Sequence, residues 1–115
     1  MLLIHNPRCS KSREALALLK ERGVAVEVRE YLQAPLSASE LEHLLIQLDL
    51  PPQAVIRFKD ELAKSLGLAA GDARSRAAWI ALLAEHPALL ERPIAVRDGR
   101  ALVARPPERV LELLD

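Results

Sequence analysis

Hydrophobic positions recur along this chain at two different periods, and the order of those periods predicts a mixed α/β fold. A short apolar run at residues 1–4 stops at Asn6-Pro7, which is typical of a buried strand ended by a turn. Helical spacing follows over residues 12–22, and apolar residues then alternate with polar ones over residues 24–31. The beginning of the chain is therefore expected to form a β-α-β unit whose two strands are parallel.

The middle of the chain shows helical patterns alone, and strands return only near its end. Ser37 or Ser39 can cap a Leu-rich helix, and shorter helical patterns cover residues 54–58, 61–66 and 76–84. Apolar residues 94–96 and 101–103 flank Asp98-Gly99, a strong hairpin turn, and Pro106 or Pro107 opens a last helix. Together these elements predict a thioredoxin-like α/β fold, in which a mixed four-stranded sheet carries a helical insertion within one domain of residues 1–115.

Charge and composition restrict the class of partner. Sixteen basic and sixteen acidic residues cancel, so no overall field attracts nucleic acid or an anionic membrane. The apolar runs are too short to span a bilayer, and His5 and Arg8 come too early for a signal peptide. A single cysteine rules out an internal disulfide and a Cys-rich zinc site, and no metal is expected. We therefore expect a monomeric cytoplasmic protein that binds neither nucleic acid nor membrane.

The single cysteine, Cys9, lies between the first strand and the first helix. A helix N-terminus presents unpaired N–H groups that stabilise a thiolate and bind oxyanions. Arg8, Lys11 and Arg13 add three nearby cations, so a lowered pKa and a nucleophilic role are predicted for Cys9. The competing interpretation is that Cys9 is only a small buried apolar residue. His5 either tunes the thiolate or simply ends the strand.

The loop around Cys9 resembles the signature His-Asn-Pro-x-Cys-x-x-Ser-Arg of the glutaredoxin-coupled arsenate reductases, the ArsC family. The matching residues are His5, Asn6, Pro7, Cys9, Ser12 and Arg13. The resemblance extends over essentially the whole chain, through Ile56-Arg57, residues 91–94 and Arg105-Pro106. The chain is similar to the short, housekeeping type of member, because Ser10-Lys11 stands where resistance enzymes usually have Gly-Thr.

The resemblance implies a function and a set of site residues. Cys9 would be the catalytic nucleophile, Arg57, Arg92 and Arg105 would bind arsenate or a similar oxyanion, and Pro93 would be the cis-proline of thioredoxin-like folds. His5, Asn6, Ser12 and Arg13 would support the loop. The implied reaction reduces arsenate to arsenite, with no bound cofactor, glutathione as co-substrate and glutaredoxin as protein partner. Ser12 stands where a C-x-x-C motif has its second cysteine, so a thiol from outside the chain must complete the cycle.

Two other functions remain open from the sequence. Spx-like regulators share the expected fold and bind RNA polymerase, but they usually carry a C-x-x-C switch where this chain has Ser12. A glutathione-dependent thiol transferase would use Cys9 but would not need three arginines around it. The arginines therefore favour the reductase.

Overall fold

Four short strands form one mixed sheet in the order β2-β1-β3-β4 in the computed structural model, which describes residues 1–114. The strands are β1 (Leu2–His5), β2 (Glu27–Glu30), β3 (Ile94–Arg97) and β4 (Arg100–Val103). β1 runs parallel to β2 and antiparallel to β3, and β3 and β4 form a hairpin. The sheet and its helices have the thioredoxin-like arrangement that the sequence predicts.

By its contacts the chain divides into two compact units. The first contains Met1–Ala34 and the described residues from Arg92 onward, and the second contains Pro35–Glu91. Helix α1 (Ser10–Glu21) and a 3₁₀ helix (Pro107–Leu113) complete the first unit and pack on each other. The second unit is helical, with α2 (Ala38–Leu48), α3 (Glu61–Ser65), α4 (Arg76–Glu85) and 3₁₀ turns at Pro52–Val55 and Pro87–Leu89.

Each unit has buried apolar residues of its own. The core of the first unit consists of Leu3, Ala15, Leu19, Ala95, Leu102, Ala104, Val110 and Leu113. In the second unit α2 packs on α4, and Trp79 is completely buried with its ring edge-on to Phe58 at a centroid distance of 5.9 Å.

Four elements differ from the sequence prediction. The helical pattern over residues 54–58 is replaced by the end of a 3₁₀ turn and by an antiparallel bridge at Ile56. Helix α1 begins at Ser10 rather than Ser12, and β2 begins at Glu27 rather than Val24. β2 starts late because Gly23 adopts a positive φ of 70° and the Val24 N–H donates to Leu19 O at 3.1 Å, which extends the helix end. The last helix is a 3₁₀ helix rather than an α-helix. Among residues 1–114 no helix is both long and apolar enough to cross a bilayer.

Candidate active site

The loop between β1 and α1 places Cys9 directly at the N-terminus of α1. Cys9 is the N-cap residue in an extended conformation, and its carbonyl accepts the first helical hydrogen bond from the Arg13 N–H at 3.0 Å. Its own N–H donates to Asn6 O at 3.0 Å, and the Arg8 N–H donates to Asn6 Oδ1 at the same distance. Asn6 thus turns the chain so that the thiol is presented at the helix end.

The conformation of this loop is fixed by hydrogen bonds among three buried polar residues, His5, Asn6 and Ser12. Ser12 is fully buried, and its Oγ lies 2.7 Å from His5 Nδ1 and accepts from the Asn6 N–H at 3.0 Å. Burial lowers the pKa of His5, with Arg13 and Lys20 adding to this effect while Glu30 opposes it. A neutral imidazole with its proton on Nε2 lets Nδ1 accept a hydrogen bond from the Ser12 hydroxyl. His5 therefore both ends the strand and anchors the cysteine loop.

The thiol of Cys9 is only partly buried, and its pKa is lowered from the ordinary value. Burial on its own raises that pKa, but the backbone N–H of Ser12, the Arg92 guanidinium and the backbone N–H of Lys11 together outweigh it. These groups stabilise the thiolate by donating toward sulfur. The sequence analysis credited both the helix N-terminus and the side-chain charges of Arg8, Lys11 and Arg13. The helix N–H groups do lower the pKa of Cys9, but the side chain that contributes is that of Arg92.

Arg92 and Arg105 lie close together in the first unit. The guanidinium of Arg92 lies beside the Cys9 sulfur, and its buried Nε finds no hydrogen-bond partner among residues 1–114. Arg105 Nη1 donates to the carbonyl of Arg92 at 3.0 Å, and the Arg92-Pro93 peptide bond is cis, as the resemblance implies. A second cis bond, Arg105-Pro106, was not predicted.

Arg57 belongs to the second unit, where two carboxylates engage it. Its Nη1 donates to Asp60 Oδ2 at 2.8 Å, and its Nε lies 3.5 Å from Glu91 Oε1. The sequence analysis singled out Arg57 but neither acid. The spacing of three residues between Arg57 and Asp60 was the available signal for the first of these pairs.

A small cavity of about 230 Å³ lies beside the cysteine loop within the first unit. It is lined by His5, Asn6, Pro7, Arg8, Glu30, Leu32 and Gln33. Residues 30–33 follow β2, and His5 and Glu30 are register partners on β1 and β2. The sequence analysis did not identify the contribution of residues 30–33, because it depends on strand pairing.

Comparison with known proteins gives a consistent result. The family model described as "ArsC family" matches residues 4–113. An arsenate reductase of Neisseria meningitidis is 48% identical, with 97% of this chain and 96% of that protein covered. An arsenate reductase of Haemophilus influenzae is 44% identical, with 99% and 98% covered. The solved arsenate reductase of Vibrio cholerae is 50% identical with a TM-score of 0.91, and 99% of this chain and 98% of that chain are covered.

Proposed function

Because the chain belongs to the ArsC family, we propose that it is an arsenate reductase in which Cys9 is the nucleophile and glutathione and glutaredoxin supply the reducing thiols. The observation that carries this proposal is the thiol of Cys9 at the N-terminus of α1, with its pKa lowered and Arg92 beside it. A thiolate next to fixed donors is suited to attack an oxyanion, because the donors stabilise the negative charge on the oxygens.

The proposed reaction uses one protein cysteine and two external thiols. The Cys9 thiolate attacks the arsenic of arsenate, an As–S bond forms, and a protonated oxygen leaves as water. Glutathione then displaces a second oxygen as water. A glutaredoxin thiolate attacks the glutathione sulfur, so that a disulfide forms and the As–S electron pair stays on arsenic, which becomes As(III). Hydrolysis releases arsenite and restores Cys9. The protein holds no resident cofactor in this scheme.

The three arginines have different proposed parts. Arg92 lies beside the thiol and would contact the oxygens of the arsenic group directly. Arg105, which donates to the Arg92 carbonyl, supports that segment and adds positive charge. Arg57 would supply a further forked donor, as the family resemblance implies. Several guanidinium groups suit a dianionic oxyanion, since each can donate two parallel hydrogen bonds.

The test is turnover with each reductant omitted in turn. We expect arsenite to form only when arsenate, glutathione and glutaredoxin are all present, and Cys9→Ser to abolish turnover. Ser10→Ala is the matched control, because Ser10 is exposed at the adjacent position and should retain wild-type activity. Full turnover in Cys9→Ser would contradict the mechanism. Reduction of a mixed glutathione disulfide without arsenate turnover would indicate a thiol transferase instead.

A further inference from the structure

We propose that Asp60 is a positioning residue for oxyanion binding, because its carboxylate holds the guanidinium of Arg57 in one orientation. The inference rests on the proposed function, in which Arg57 is one of the oxyanion-binding arginines. It concerns contacts within the second unit, where both residues lie.

The carboxylate of Asp60 is fixed by a contact that does not involve the Arg57 side chain. It is the N-cap residue of α3, and its Oδ1 accepts from the Leu62 N–H at 3.0 Å. Its Oδ2 is then directed at Arg57 Nη1, at 2.8 Å. The Asp60 N–H also donates to the Arg57 carbonyl at 3.0 Å, which closes a tight turn between the two residues. The carboxylate therefore acts as a rigid acceptor that is tied to the helix end.

A second carboxylate and the backbone hold Arg57 from the other side. The Arg57 N–H donates to Leu89 O at 2.8 Å, and Ile56 and Leu90 form an antiparallel bridge. This pairing brings Glu91 Oε1 to 3.5 Å from Arg57 Nε. The side chains of all three charged residues are only about a quarter exposed, so solvent screens them less than a surface pair.

The two possible effects of Asp60 on an anion have opposite signs. An arginine side chain loses much rotamer freedom when it binds, so a guanidinium that is already held gives up less on binding an oxyanion. Electrostatic repulsion has the opposite effect on affinity, because two carboxylates beside one guanidinium repel an incoming anion. If positioning dominates, removal of the Asp60 charge must weaken arsenate binding even though it makes the surroundings more positive.

Asp60→Asn is the variant that separates the two effects. Asparagine is also a good N-cap residue, so α3 keeps its cap while the charge that holds Arg57 is lost. We expect the Kd and the KM for arsenate to rise about tenfold with little change in kcat, the pattern of a lost binding contribution. Glu42→Gln is the matched control, since Glu42 forms an ion pair with Arg76 at 2.8 Å in the same unit. A Kd that is unchanged or lower in Asp60→Asn would overturn the proposal.

A double-mutant cycle tests whether Asp60 acts through Arg57. In an Arg57→Ala background, Asp60→Asn should have no further effect on the arsenate Kd, because the group that it positions is absent. An undiminished effect in that background would also overturn the proposal, since Asp60 would then act directly or through another group.

The Arg57 Nε–Hε signal in NMR gives a readout that does not depend on activity. Its order parameter should fall in Asp60→Asn and stay at the wild-type value in Glu42→Gln. An unchanged order parameter in Asp60→Asn contradicts the inference alone. A wild-type protein that binds arsenate without reducing it contradicts the proposed function alone, and one that does not bind arsenate contradicts both.

Discussion

At the scale of single residues, the chemistry of Cys9 depends on where the helix begins. The backbone N–H groups of Ser12 and Lys11 stabilise the thiolate because α1 starts directly after Cys9. Lys11 therefore acts through its main chain, while its Nζ lies 3.9 Å from Glu14. Arg13 likewise directs its Nη1 to Pro7 O at 3.0 Å. The number of cations in the loop is a less useful guide to the thiol than the position of the helix terminus.

Removal of Arg92 should raise the pKa of Cys9. Arg92 lowers that pKa in the wild-type protein. The alkylation rate of Cys9 increases with pH as the thiolate forms, and the midpoint of this increase should lie at a higher pH in Arg92→Ala. The measurement is the rate of iodoacetamide labelling from pH 5 to 10, which follows the thiolate fraction of the single cysteine. Arg22→Ala, an exposed position at the other end of α1, is the control. Identical midpoints in wild type and Arg92→Ala would contradict the assigned role.

The sequence could single out candidate residues for the site but not all of their contacts. Cys9, His5 and Ser12 occupy one loop, so their proximity follows from the motif. The Arg57 contact with Glu91 depends on an antiparallel bridge between Ile56 and Leu90, which joins segments more than thirty residues apart. No local pattern in one sequence reports such a pairing.

At the scale of elements, prediction succeeded where a local signal was strong. The α2 helix begins after Ser37, whose Oγ accepts from the Glu40 N–H while the Glu40 side chain accepts from the Ser37 N–H, a capping box visible in the sequence. The start of β2 was placed too early, because alternating valines that pack as a loop against the core have the same period as a strand.

The turn between β3 and β4 gives a prediction at this scale. Asp98 and Gly99 have φ values of 51° and 79°, so both central residues of the hairpin turn are left-handed. Gly99→Ala should lower the free energy of unfolding by about 1–2 kcal/mol, because a Cβ disfavours this backbone conformation. The added Cβ would meet no atom within 4 Å, so the cost is purely conformational.

Urea unfolding of Gly99→Ala is compared with that of Gly71→Ala. Gly71 is also exposed and also has open space around it, but its φ lies outside the left-handed range. The control should therefore be close to neutral. Equal stability changes in the two variants would show that the turn conformation does not determine the cost.

At the scale of the whole molecule, the order of elements predicted the fold class. A β-α-β unit, then helices, then a β-β-α unit is an order of elements that defines a mixed sheet. The β-α-β crossover gives a parallel pair of strands, and the two-residue turn gives an antiparallel pair. The sequence analysis expected one domain of residues 1–115, and by their contacts the described residues divide into two compact units. Whether the units unfold together is a question of cooperativity that composition does not address.

Trp79 makes that cooperativity measurable without any label. It is the only tryptophan in the chain, it is completely buried in the second unit, and the guanidinium of Arg74 lies 5.5 Å from its ring centroid. Its fluorescence therefore reports on the second unit, while circular dichroism reports on the secondary structure of both. The single-domain prediction requires the two signals to change at the same urea concentration.

Separate transitions would contradict that prediction and would show that the helical unit opens independently. In that case Trp79 would record the opening of residues 35–91 while the sheet, with Cys9 in the loop that follows β1, stays folded. The buried indole is thus an intrinsic optical probe for one half of the protein, and the lone thiol is a chemical probe for the other.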